Sequence, residues 1–113
     1  MARKNTLLLA PPYPVERALK QLGTNLRTAR LRRNLTIQEV AEKIGTGPRP
    51  VADAENGKVS TSAAVYVALL WAYDLLDPVR ELADPAQDKE GLALSGTRVR
   101  ARSGESEELD SEF

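Results

Sequence analysis

Residues 36–57, "TIQEVAEKIGTGPRPVADAENG", leave the chain little freedom in what it can fold into. Thr36-x-x-Glu39 is a capping box, in which a hydroxyl and a carboxylate close the first turn of a helix on each other. Val40, Ala41 and Ile44 give that helix an inward face, and Gly45 ends it. A second helix starts almost at once, from about Pro48 to Glu55. Pro48 suits a first helical position. Pro50 still falls in the first turn, where its missing N–H would be unpaired in any case. Glu55 to Lys58, "ENGK", reads as a turn. The small residues Ala41 and Gly45 would let the two short helices approach closely.

The flanks extend this pattern. A helix is expected from about Val15 to Arg33, because Leu19, Leu22, Leu26 and Ala29 recur at helical spacing. Arg27, Arg30 and Arg32 lie largely off that stripe, and Asn34 is a left-handed terminator. Downstream, Ser60, Thr61 or Ser62 can cap a helix running to about Leu76. Val65, Leu69, Ala72 and Leu76 make one face, flanked by Tyr66, Leu70 and Tyr73. Val67, Trp71 and Leu75 lie on another side. A helix apolar nearly all round is buried on more than one side. Here the second burying surface is either the rest of the monomer or another copy of the chain. "DPVRELA" reads as a short fifth helix with Asp77 as cap and Pro78 at its first position. In "LALSGTRVRAR", Val99 and Ala101 alternate with Arg98, Arg100 and Arg102, which suggests a short strand or hairpin.

Composition narrows the function classes. At 113 residues, the chain suits one domain with tails. Hydrophobic content is 42% but aromatic content only 4%, so the core is mostly Leu, Val and Ala, which favours packed helices. There is no cysteine and no histidine. That excludes a disulfide framework and effectively excludes a structural zinc site, and it removes the commonest general base. The carboxylate pairs Glu39/Glu42 and Asp74/Asp77 sit at helix boundaries, and no glycine-rich phosphate loop accompanies them, so neither an enzyme nor a bound cofactor is expected.

Formal charge is zero but segregated. Residues 1–58 carry 11 Lys/Arg against 5 Asp/Glu, and residues 59–113 carry 5 against 11. The basic half suggests a polyanionic partner, though a solvated basic helix face is the plainer alternative. "TLLLAPPYP" is too short an apolar run, and too soon broken by proline, for a signal peptide. The longest uncharged run, Val59 to Tyr73, has 15 residues, short of the ~20 needed to cross a bilayer. A soluble, cytoplasmic protein with no membrane partner is expected. Residues 1–14 read as an N-terminal arm, in which "PPYP" blocks helix until after Pro14. Residues 103–113, "SGESEELDSEF", read as a disordered acidic tail.

Residues 26–57 resemble the Cro/Xre class of helix-turn-helix DNA-binding domains. The resemblance rests on Arg27 and Arg30, then Leu35-Thr36, Ala41, Gly45, and Glu55 with Gly57. With Ile37 as first position of the motif, Ala41 is fifth, Gly45 ninth and Val51 fifteenth, the positions that this motif packs inside. The resemblance implies an all-α, five-helix, lambda-repressor-like domain over residues 15–83, with its motif at 37–56. A C-terminal dimer- or partner-contacting segment would follow over 84–102. "LLWAYDLLDPVRELADPAQDKEGLAL…RVR", from Leu69 onward, resembles the C-terminal half of antitoxins encoded beside HipA-like kinase toxins. That second resemblance implies a homodimeric repressor of its own operon, with a palindromic double-stranded operator and a toxin kinase as partners.

The class's base-facing positions fall on Gly47, Pro48, Arg49, Ala52 and Asp53. Arg49 is the strongest reader, since it can fork onto a guanine. Asp53, four residues on, can orient that guanidinium, accept from a cytosine amine, or repel phosphate. An Arg49–Asp53 surface pair without any DNA role is the plainer alternative. Pro48 and Ala52 can touch thymine methyls, and Gly47 lacks the side-chain cap usual there. Thr36, Gln38, Arg27, Lys43, Asn56, Lys58 and Ser60 are candidates for the DNA backbone, contacts that position rather than specify. Arg3 and Lys4 of the arm are candidates for a minor groove. Val67, Trp71, Leu75, Leu92, Leu94 and Val99 are candidates for the dimer interface. The competing reading is a protein–protein module on a helix-turn-helix scaffold, with weak or no sequence-specific DNA binding, which the thin set of donors favours.

Overall fold

In the computed structural model, residues 5–101 are described, with side chains to residue 98. Every regular element among the described residues is a helix. They fall into two compact units that divide between Val79 and Arg80. The expectations for Arg3, Lys4 and the acidic segment 103–113 lie outside the described residues, as does the side chain of Val99.

The first unit begins with a single turn, α1 (Thr6–Leu9), capped by the side chain of Asn5. Helix α2 (Tyr13–Arg32) follows, with Pro14 in its first turn. "PPYP" therefore separates two helices rather than excluding helix before Pro14: a proline in a first turn removes no intrahelical bond. Asn34 ends α2 with a φ of 58°. Helix α3 (Ile37–Ile44) starts with the complete capping box of Thr36 and Glu39 and ends at left-handed Gly45. Helix α4 (Pro48–Glu55) has Gly47 as its N-cap, with no side-chain cap. Helix α5 (Ala63–Ala72) is capped by Ser62, whose hydroxyl accepts from the Val65 amide. It ends earlier than its apolar run suggests, because Asp74 turns left-handed with a φ of 58°. The expected fifth α-helix is instead a 3₁₀ segment, Asp77–Glu81.

The core is a single cluster of Leu26, Ala29, Val40, Ala41, Val51, Ala54, Tyr66, Leu69 and Tyr73. Each of α2 to α5 contributes to it. Two details depart from the sequence reading. The buried centre of α5 and its C-cap is Tyr66, Leu69 and Tyr73, with Val65 and Ala72 only partly buried beside them. And Gly45 is exposed, with open space where a Cβ would sit, so it serves for its backbone angle and not for close helix approach. The close approaches lie elsewhere. A Cβ on Gly23 would come within 2.5 Å of the Glu55 carbonyl oxygen, and one on Gly57 within 2.7 Å of Lys20 Cα.

The second unit holds a 3₁₀ turn (Pro85–Gln87) and helix α6 (Lys89–Ala101). Where the alternation of Val99 and the arginines suggested a strand, the structure has helix. The cause is local. Asp88 Oδ1 accepts from the Gly91 amide at 2.9 Å, which starts a helix. A helix also satisfies its own backbone, whereas a lone strand leaves its N–H and C=O groups unpaired.

Candidate nucleic-acid interface

Helix α4 has two faces that behave differently. Val51 and Ala54 are fully buried in the core. Gly47, Pro48 and Arg49 are exposed at its start, Ala52 and Asp53 are half-buried, and Asn56 is exposed at its end. An exposed N-terminal end on a short, firmly packed helix is the geometry by which such a helix meets a major groove.

What holds α4 in place is an ion pair beneath it. Arg30 of α2 is buried rather than off the stripe. Its Nε donates to Glu55 Oε2 at 2.7 Å, and a terminal nitrogen donates to Oε1 at 3.0 Å. Its other terminal nitrogen donates to the Leu35 carbonyl at 2.9 Å. The two side chains are only 9% and 6% exposed. The Glu55 hydrogen bond raises the Arg30 pKa above its usual value, against the opposing effect of burial. One guanidinium thus ties together α2, the loop before α3, and the end of α4. Its fork matches a carboxylate in two parallel bonds. Sequence reasoning noted both residues but missed their pairing. Arg30 directly follows Ala29 of the apolar stripe, and Glu55 is followed by a turn with two small residues nearby. Those placements were the available signal.

The candidate base-facing charges, Arg49 and Asp53, form a chain along the surface with the backbone candidate Lys58. Arg49 Nε lies 3.6 Å from Asp53 Oδ1, and Lys58 Nζ lies 3.8 Å from Asp53 Oδ2. Asp53 also lines a shallow depression of about 200 Å³ with Pro50, Ser60, Thr61, Ser62 and Val65. Ser60 is therefore beside the end of α4, as is Lys58, whose carbonyl accepts from the Tyr66 hydroxyl at 3.1 Å. Burial raises the Tyr66 pKa above its usual value.

The candidate backbone contacts separate. Arg27 is exposed on α2. Thr36 is exposed, with its hydroxyl engaged by the Glu39 amide at 3.0 Å. Gln38 reaches Glu42 at 3.3 Å. Lys43 sits elsewhere: its Nζ donates to the Ala72 carbonyl at 3.4 Å and lies 6.0 Å from the Trp71 ring centre. Ala72 is at the opposite end of α5 from the Ser62 cap, roughly 15 Å along the axis at helical rise. Lys43 thus keeps company with Trp71, which is exposed; Val67 and Leu75 are exposed as well, and Leu75 lines a depression with Asn25, Thr28, Ala29, Arg32 and Arg33. Leu92 and Leu94 are exposed in the second unit.

The helix-turn-helix domain family matches residues 21–83, more than half of the chain. The chain belongs to that family. The match takes in α3, the Gly45 turn and α4, and within the helix-turn-helix domain α3 and α4 are the motif's pair. Membership supports a DNA-binding regulator, a class that is typically not enzymatic. No match was found among curated proteins or among solved structures. Among the described residues no helix is long and apolar enough to cross a membrane, and no group of three or more acidic residues could hold a metal ion.

Proposed function

We propose that this helix-turn-helix protein is a sequence-specific transcriptional repressor of the Cro/Xre type. It acts in the cytoplasm as a homodimer on a palindromic double-stranded operator. The observation that carries the reading is α4 itself. Its inner side is locked by Val51, Ala54 and Glu55, while Pro48 and Arg49 stand clear of the protein at its N-terminal end. Arg49 supplies the direct readout with Asp53 at its side, and Pro48, Ala52 and Gly47 lie against base edges. Thr36, Gln38, Arg27, Asn56, Lys58 and Ser60 supply backbone contacts. So few donors give modest direct readout, so selectivity leans on the spacing of two half-sites.

The likeness of the segment from Leu69 to the Arg98-Val99-Arg100 run to antitoxins of HipA-like kinases supports a narrower role. The protein would repress its own operon and bind its toxin kinase. The exposed Val67, Trp71 and Leu75 favour a protein partner, either a second copy or the toxin. The same exposed residues favour the alternative of a protein–protein module that has kept the helix-turn-helix scaffold.

A gel-shift series separates the two. The probe is the DNA directly upstream of this reading frame, with a scrambled duplex as control. Retardation of the upstream DNA at 50–200 mM salt, with the control released first, is the expected result. If a correctly folded protein shifts neither duplex at the lowest salt, the repressor reading fails and the protein–protein reading stands.

A further inference from the structure

Asp53 is an acid on the face that would meet a polyanion. Its side chain is only 25% exposed, whereas Arg49 is 82% and Lys58 50% exposed. Exposed ion pairs contribute little to folding, so stability does not explain it. An acid there also weakens attraction to every phosphate, whatever the sequence.

The geometry offers a different use. Asp53 is the fixed member of the trio, set in the depression formed by Pro50, Ser60, Thr61, Ser62 and Val65. Its own carbonyl is held by the Lys58 amide at 3.0 Å. Arg49 approaches it through Nε, at 3.6 Å. A guanidinium whose Nε faces a carboxylate can turn its terminal nitrogens outward, and these are the groups that fork onto guanine O6 and N7. Meanwhile the second carboxylate oxygen faces Lys58 Nζ, partly cancelling a cation that would otherwise grip any phosphate.

We infer that Asp53 is a positioning residue that sets specificity: it presents the Arg49 fork to a guanine and restrains Lys58, lowering affinity for DNA in general while raising selectivity. The inference rests on the DNA-binding reading above. Reading a base through a pre-oriented side chain costs less ordering on binding, so the gain falls on the cognate site alone. The cost of the acid falls on all sites.

The test uses the full chain, a duplex selected by the wild-type protein from a random 30-base-pair pool, and a scrambled duplex of equal length. Asp53→Asn is expected to bind the scrambled duplex about threefold to tenfold more tightly, with a salt slope steeper by about one phosphate contact. Its ratio of selected to scrambled affinity is expected to fall about tenfold, within the range that one bidentate base contact contributes. In an Arg49→Ala background the same change should tighten scrambled binding but leave the ratio alone. Equal tightening on both duplexes by Asp53→Asn alone would mean that Asp53 acts only as bulk charge, and would overturn the inference. Lys58→Gln serves as a second variant: it should weaken scrambled binding and keep the ratio. A fall in the ratio there would transfer the role to Lys58 and also overturn the inference. If folded wild-type protein selects no duplex, the DNA-binding reading has failed together with this one.

Discussion

The bond between Arg30 and Glu55 shows how much one side chain can decide. Both partners are nearly inaccessible, so removing one strands a buried charge. Glu55→Ala should lower unfolding stability by about 3 kcal/mol, read as a shifted urea midpoint. Replacing both, as Arg30→Met with Glu55→Leu, should recover most of that loss, because a paired buried charge is worth little more than good apolar packing. Tyr73 gives a second prediction, in alkali. Burial pushes its hydroxyl from 10.0 up to about 12. The unfolded chain therefore releases this proton first, and the folded state loses stability as pH rises from about 10 to about 12. Tyr73→Phe should be less sensitive in that window. It should also stay within about 1 kcal/mol of wild type at neutral pH, since the hydroxyl makes no hydrogen bond among the described residues. Neither effect was drawn from the sequence: Arg30 and Glu55 stood as separate positions of the family signature, with Arg30 off the apolar stripe, and Tyr73 as a flanking residue.

Among elements, α3 and α4 were the most legible, because each carries its own start and stop signals within eight residues. The capping box, Gly45 and the placement of Pro48 fix backbone angles locally, without reference to the rest of the fold. What lay beyond reach was contact between elements distant in sequence. Gly23 looked like an unremarkable helix position, yet it is where α2 meets the last turn of α4. Gly23→Ala should push the Glu55 and Ala54 carbonyls away and cost about 1–3 kcal/mol, measured by thermal melting. Gly45→Ala should cost less, about 1 kcal/mol, since only its φ of 83° resists a side chain and nothing crowds it. The helix over Lys89–Ala101 illustrates the opposite failure. An alternating pattern was legible, but the cap from Asp88 and the want of a pairing strand outweighed it.

At the scale of the molecule, the exposed Trp71, Val67 and Leu75 make a prediction about assembly. Trp71 is 54% exposed within one chain, so Trp71→Glu removes little from the core. It should melt within about 1 kcal/mol of wild type, yet sediment as a monomer and bind the operator at least about tenfold more weakly, because one half-site then carries the whole load. A variant that remains dimeric would place the interface on another surface. The division of labour within α4 has a consequence for how such a protein changes over time. Folding is secured by Val51, Ala54 and Glu55, and on the proposed reading the address is carried by Arg49 and its neighbours on the other side of the same short helix. On that reading the address can be rewritten by one or two substitutions at 48, 49 or 53 without renegotiating the fold. A duplicated copy of the gene is then only a step or two from answering to a different promoter than its parent.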